Sequence, residues 1–599
     1  MRSLVIGLVL AASLSLPGLA AEPEGPAALI DRTDAIKIAV QDRLAAKSMR
    51  DAAQQIALAE YYSVSDHRPL WVDENGLTPR GKAVMAEIAK ADDYGLRARD
   101  YRLPNVSSFN AADPNAAEWL AGAELKISIA VLEYAKDARG GRLEPLALSK
   151  NLDPTLYLPN PAEVIGFIAI RSDPAAYLRS FQPTHPQFEA LRKKLIQARK
   201  GDTPVAAPKP DVVIIPAGPV LKLGVKNPQV VLLRKRLKVP AKAGAKENVF
   251  DKDLRQAVRQ FQRSHGSSAD GIVGSGTRRI LNGQPAPRRV NGQEKIDLLM
   301  VNMERWRWLP QDMGPFYVTV NIPEFRLRIM EDGAKMHEAR VVVGKTNKQT
   351  PVFSDEMEEI VFRPNWFVPN SIKTEEIAPS LRRSGGFFGG GGWDTSVFQR
   401  HDLRIRGVSG RDIDPASIDW GNTDIRRYEL YQPPGPRNVL GMMKFRFPNK
   451  HDVYLHDTTQ KHLFANAVRL ESHGCMRLQN PERVATILLS RDQGWTASQV
   501  ASAVAGRDDN KIILKNHVPV FVTYFTAQVA DDGSLTQYRD VYRHDTRMLA
   551  ALSGRAVPSG LPGDEQVAVQ TRQRPANNNR RRRQQGDAFD NFTRSIFDF

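Results

Sequence analysis

The chain has 599 residues, 42% hydrophobic and 25% charged, which is material for three or four packed domains and excludes a chain disordered throughout. Its 84 Lys and Arg against 67 Asp and Glu leave a net charge of +17, so an anionic partner is expected. A single cysteine, Cys475, excludes any internal disulfide.

Residues 1–21 read as a secretory signal. Arg2 supplies the positive start, Leu4 to Leu16 is apolar, and Leu19-Ala20-Ala21 offers small residues for cleavage before Glu22. The apolar run is shorter than the roughly 20 residues a spanning helix needs, so cleavage is expected in place of anchoring. No later stretch is apolar enough to cross a bilayer, and no transmembrane span is expected in the mature chain. Export argues against nucleic acid as the partner and for anionic envelope material.

Residues 25–200 have a helical pattern. Gln41 to Glu60, Arg80 to Ala91 and Ala121 to Ala138 carry Ala, Leu and Ile at helical spacing, the last ending at Gly140-Gly141. Tyr61, Tyr62, Trp71, Tyr94 and Tyr101 read as packing residues. Residues 201–219 hold five prolines and form a linker. Residues 220–285 predict two amphipathic helices, around Val231 to Leu237 and Ala257 to Gln262. A glycine-bearing turn, Asp270 to Thr277, leads to a third helix near Ser275.

From 290 to 545 the pattern changes. Ile296 to Trp308 predicts a helix. Phe316 to Ile322, Phe325 to Met330, Ala339 to Gly344, Glu359 to Phe362, Asp452 to Leu455 and Pro519 to Thr526 predict short strands. Asp332-Gly333 and Asp531 to Ser534 mark turns. Pro481 to Leu489 is a further helix. Residues 384–393 form a glycine-rich loop, either a lid or an insertion without a role; no Lys-Ser/Thr follows, as a P-loop requires. The tail from 555 to 599 carries Arg580 to Arg583 and an apolar cluster, Phe589, Phe592, Ile596, Phe597 and Phe599. It reads as a disordered tail or a docking segment.

Four of the eleven histidines, His451, His456, His462 and His473, lie just before Cys475. Three readings compete for this thiol. A buried cysteine can act as a small hydrophobe. A nucleophilic cysteine needs a base, and His456 at a strand end is placed to supply one. Gly474 lets the chain bend so that backbone N–H groups converge as an oxyanion hole. Zinc is the third reading, but there is no second cysteine and no HExxH helix, so no metal is expected.

Ser472-His473-Gly474-Cys475, preceded by His456, resembles the signature of the L,D-transpeptidase (YkuD-type) family. Asn302 to Pro310, Arg340 to Lys345, Gln349-Thr350-Pro351, Asn365 to Pro369 and Gln432 to Asn438 resemble its large multidomain Gram-negative branch. Residues 220–285, with Ala257-Val258 before Phe261-Gln262 and Asp270-Gly271 before Val273-Gly274, resemble the type 1 peptidoglycan-binding domain. The resemblance implies a multidomain α+β protein: a helical N-terminal scaffold, a small three-helix peptidoglycan-binding domain and a mainly β catalytic domain.

It also implies that Cys475 is the nucleophile and His456 the base, with no cofactor. Gly474, His473 and Ser472 would form or support the oxyanion site. Arg477 stands where many small members have Asn, as a substrate-facing group or a structural one. Tyr454 and Trp366 are candidate pocket walls or aromatic core. The implied partners are peptidoglycan stem peptides and glycan in the periplasm, with an outer-membrane protein as an alternative acceptor. A cell-wall peptidase of the NlpC-like kind is disfavoured, because there the cysteine precedes the histidine.

Overall fold

The structure is a computed structural model that describes residues 32–46, 49, 51–64, 68–200, 213–216, 218–264, 270–274, 277–278, 281–282, 292–381, 392–407, 409–506 and 510–563. The signal segment 1–21, linker residues 201–212 and 217, the glycine-rich run through residue 391 and the tail from 564 lie outside them. The chain forms two compact units. One comprises Met1–Ala86, Arg102–Leu132 and Pro161–Ala175; the other comprises Glu87–Tyr101, Glu133–Asn160 and Ala176–Phe599.

Among the described residues, the regular structure of the first unit is helical apart from a short hairpin, β1 (Val72–Asp73) and β2 (Gly76–Leu77). The stretch predicted as one helix from 41 to 60 is two, Arg32–Ala46 and Ala52–Ser63. The second starts afresh because the Asp51 carboxylate accepts from Gln54 N, a side-chain cap that competes with a continuing helix. Buried Glu124 is held by three backbone donors, Leu70, Trp71 and Val72, and by the Tyr62 hydroxyl at 2.5 Å. Burial pushes its carboxyl up to about 7 despite these donors.

In the second unit, residues 213–282 have their own core of Ile215, Leu221, Val230, Leu233, Phe250, Leu254, Val258, Val273 and Leu281. Helices Gln229–Leu237 and Lys252–Ser264 match the two predicted. Of the third, only Thr277, Arg278 and Leu281 are described, and all three are helical.

A helix at Gly292–Trp306 leads into the strands. These are β3 (Phe316–Asn321), β4 (Arg326–Glu331), β5 (Ala334–Gly344), β6 (Phe353–Phe362), β7 (Trp366–Phe367), β8 (Arg404–Arg406), β9 (Asp412–Ile413), β10 (Glu429–Gln432), β11 (Met443–Arg446), β12 (Leu455–His456), β13 (Leu470–Ser472), β14 (Met476–Leu478), β15 (Asn510–Thr523), β16 (Ala527–Val529) and β17 (Leu535–Gln537). Nine form one sheet in the order β13-β5-β14-β12-β11-β6-β15-β3-β4, and β4 also pairs with β5, closing the sheet on itself. The turn between β4 and β5 is Asp332-Gly333, with φ of 48° and 77°, as a two-residue hairpin of the primed type requires. A second sheet, β7-β10-β8-β9, has its own core around Trp366, Ile405, Leu430 and Trp420. This sheet differs from the sequence expectation, which placed no strand in residues 366–432.

Strand alternation decides what faces the site. Ile360, Phe362, Met443, Phe445, Leu455, Met476 and Leu478 all enter the main core. The residues between them, Val361, Lys444, His456 and Arg477, face the other way, in register: Val361 opposite Lys444, Lys444 opposite His456, His456 opposite Arg477. Polar residues alternate with apolar ones here because only one face of these strands is packed against the main core.

Candidate active site

Cys475 sits one residue before β14, and Tyr454 one residue before the parallel strand β12, so the two are register neighbours. Met476 N donates to Tyr454 O at 3.0 Å and locks this alignment. The half-buried thiol packs against the core of the second sheet, together with Trp366 and Tyr454. Its Sγ lies 3.8 Å from the Asp452 carbonyl oxygen. Burial pushes the thiol up to about 11; the Asp452 carboxylate adds to this, while the Tyr454 N–H and hydroxyl and the Lys444 ammonium oppose it.

His456 is buried on the neighbouring strand β12, opposite Arg477. Its Nδ1 lies 2.5 Å from the Asp457 carbonyl oxygen, which accepts and so requires the proton on Nδ1. Nε2 is then the acceptor end of the ring. Burial first, then Arg477, Lys444 and Lys461, push the imidazole down to about 3, against the pull of the Asp457 carbonyl. Among the described residues no hydrogen bond joins this ring to the Cys475 sulfur. The rings of Tyr454 and His456 meet edge-on at 5.7 Å.

The loop around the thiol is cross-braced. Gly474 has φ +118°, a conformation that L residues avoid. The Ser472 hydroxyl donates to Cys475 O at 2.5 Å and accepts from Gly474 N at 3.3 Å. His473 Nε2 lies 2.8 Å from Glu376 Oε1, tying the loop to residues 370–381. The buried Arg477 guanidinium donates to Gln460 Oε1. Tyr454 and Trp366 are both buried, and the phenol is pushed up by burial next to the thiol. Ser472, His473, Gly474, Cys475 and Arg477 lie along β13, β14 and the turn between them, Tyr454 and His456 at β12 and Trp366 on β7, whereas His451 turns to Asp153, 2.7 Å away.

Three contributors were missed. The Lys444 ammonium lies 3.9 Å from the Tyr454 ring centre, and burial pushes it down. A charge between core residues Met443 and Phe445 was the available signal. Glu376 and Gln460 come from distant segments and carried none.

Residues 315–500 match the model of the L,D-transpeptidase catalytic domain. The chain carries an L,D-transpeptidase catalytic domain. Residues 226–281 match a peptidoglycan binding domain and residues 56–195 a Scaffold domain. A curated Haemophilus influenzae protein named "Putative L,D-transpeptidase" is 30% identical over 251 residues, 42% of this chain and 48% of that one. The chain thus spans about half the length of the curated relative it matches. A solved L,D-transpeptidase from Xylanimonas cellulosilytica is 14% identical, covering 51% of this chain and 98% of its own, with a TM-score of 0.16. A fused Zn-dependent amidase/peptidase and peptidoglycan-binding protein from Clostridium acetobutylicum is 12% identical, covering 51% and 100%, with a TM-score of 0.13. The L,D-transpeptidase domain model ends at residue 500, whereas the closed sheet includes β15 at Asn510–Thr523.

The two shifts set a pH expectation. With the thiol raised and the imidazole lowered, the resting pair at neutral pH is uncharged. Alkylation of Cys475 by iodoacetamide should climb about tenfold per pH unit from roughly pH 7 to 10, following the thiolate fraction. A rate already level below pH 8 would mean a preformed thiolate–imidazolium pair.

Proposed function

We propose that this protein is an exported peptidoglycan L,D-transpeptidase that uses Cys475 as a covalent nucleophile. One arrangement supports the reading most. Cys475 and His456 occupy adjacent strand ends on one polar face, and the Asp457 carbonyl fixes the tautomer that leaves Nε2 able to take a proton. The match of residues 315–500 to the catalytic domain model gives the acyl-transfer chemistry its context.

The donor is a tetrapeptide stem. Sγ attacks the carbonyl carbon of its third residue, a diaminopimelate, as the thiol proton passes to His456 Nε2. The oxyanion is held by backbone N–H at Cys475. The intermediate collapses to a thioester, and the departing D-Ala amine takes the proton from the imidazolium. The side-chain amine of a diaminopimelate on a second stem then attacks the thioester carbon. His456 takes the amine proton and returns it to the sulfur, leaving a 3→3 cross-link. The chemistry needs no cofactor. A carbapenem carbonyl can acylate the same thiol, and another amine, including one on an outer-membrane protein, can replace the second stem.

The peptidoglycan binding domain at 226–281 supports placement at the cell wall, and residues 1–21 support export to the periplasm. Among the described residues no helix is long and apolar enough to cross a membrane.

Mass spectrometry of purified protein with tetrapeptide muropeptides tests the reading. The expected products are free D-Ala and dimers joined between third residues. Tripeptide monomers alone would make the enzyme a carboxypeptidase, and unchanged tetrapeptide would overturn the acyl-transfer reading.

A further inference from the structure

The peptide between Gly474 and Cys475 is gripped from behind by a buried side chain outside the signature loop. The Thr350 hydroxyl donates to Gly474 O at 2.7 Å and accepts from Gly344 N at 2.9 Å. Thr350 is fully buried, so neither bond is shared with solvent. Its own backbone N–H donates to the Tyr542 hydroxyl at 3.3 Å, and that hydroxyl donates to Gly344 O at 2.6 Å. Tyr542 is also fully buried. The Gln349 amide donates to Pro562 O at 2.7 Å, so residues after β17 brace the same turn twice.

In a trans peptide the carbonyl oxygen and the following N–H point in opposite directions. Holding Gly474 O toward Thr350 therefore turns the Cys475 N–H away from it. Among the described residues the Cys475 N–H donates to no acceptor, whereas Gly474 N–H is already engaged by Ser472. A rigid, unengaged donor on the nucleophile itself is what an oxyanion requires.

We propose that Thr350, locked by Tyr542, is a positioning residue for the oxyanion-binding N–H of Cys475. The inference rests on Cys475 being the acyl-accepting nucleophile. It makes the segment beyond the matched catalytic domain a working part of the site. Thr350 touches no reacting atom; it acts through one peptide plane. Its loss therefore impairs acyl transfer, where an oxyanion develops, and spares simple alkylation of the thiol, where none does.

The test uses the full chain and three variants, Thr350→Val, Thr350→Ser and Tyr542→Phe. Acylation by a tetrapeptide muropeptide and alkylation by iodoacetamide are measured on each. Thr350→Val is expected to lower the acylation kcat by about 10²-fold, in the range seen when an oxyanion donor is lost. KM and the alkylation rate should stay within a few fold. Thr350→Ser keeps the hydroxyl and should stay near the unsubstituted rate. Tyr542→Phe, which removes only the lock, should lose about tenfold in kcat, and it carries the test if Thr350→Val does not fold. Unchanged kcat in Thr350→Val, or in Tyr542→Phe where that variant carries the test, would overturn the proposal. So would alkylation falling in parallel with acylation. If the unsubstituted protein alkylates but never acylates, the transpeptidase reading itself has failed.

Discussion

Cys475→Ala should abolish D-Ala release and thioester formation while leaving the protein folded and bound to sacculi. The chemical loss is expected on the order of 10⁴-fold or more, because no other group on this face can form the acyl intermediate. Lys444 and Tyr454 adjoin the sulfur, yet burial makes the phenol a weak acid, and an amine adduct would not return its acyl group as a thioester does. The structural loss should be small. Cys475 is half-buried, and its sulfur meets only weak partners, the Asp452 carbonyl oxygen at 3.8 Å and the Tyr454 N–H and hydroxyl, so truncation should cost on the order of 1 kcal/mol. Wall binding is assigned to residues 226–281, which have a separate core, and should persist. Sacculus pull-down, thermal melting and D-Ala release together check all three. Residual D-Ala release by the variant would mean that another group is the nucleophile.

The fold class was legible in the sequence, and so was the neighbourhood of the candidate site. Ser472 to Cys475 and His456 could be read as one neighbourhood because they lie close in linear order, on β12, β13 and the turn before β14. Phe316 to Asn321 and Arg326 to Glu331 were legible because six-residue strands show their pattern and a Asp332-Gly333 turn joins them to β5. The second sheet was not, since β7 and β9 have two residues each and β8 only three, too short for any alternation. β15 extends well before the predicted start at Pro519, back to Asn510. Lys511, Asn516 and His517 interrupt its apolar pattern, and its pairing with β6 is irregular between Ile513 and Val518. Glu376 and Gln460 were hidden for another reason. Each meets its partner, His473 or Arg477, through folding alone, and a single sequence holds no sign of such a pair.

Gly474→Ala should separate two roles a glycine can have. At Gly344 the need is space: a Cβ there would lie 2.0 Å from the Lys348 carbonyl oxygen. At Gly474 space is available, the nearest atom to a built Cβ being Gln349 O at 3.7 Å. The constraint at Gly474 is its φ of +118°, which costs an L residue on the order of 1–3 kcal/mol. The chain around it is held by the Ser472 hydroxyl and by Thr350, so the strained conformation competes with intact hydrogen bonds. A modest loss of thermal stability is expected, a few degrees, because the strain sits in one turn and the main core is untouched. Activity should fall much further, about 10²-fold, because relief of the strain comes by rotating the peptide that carries the Cys475 N–H. Melting curves and D-Ala release measured on the same preparation would check both numbers. Activity falling only in step with the folded fraction would show that the glycine serves the fold alone. A full rate with lowered stability would show that the N–H keeps its aim without it.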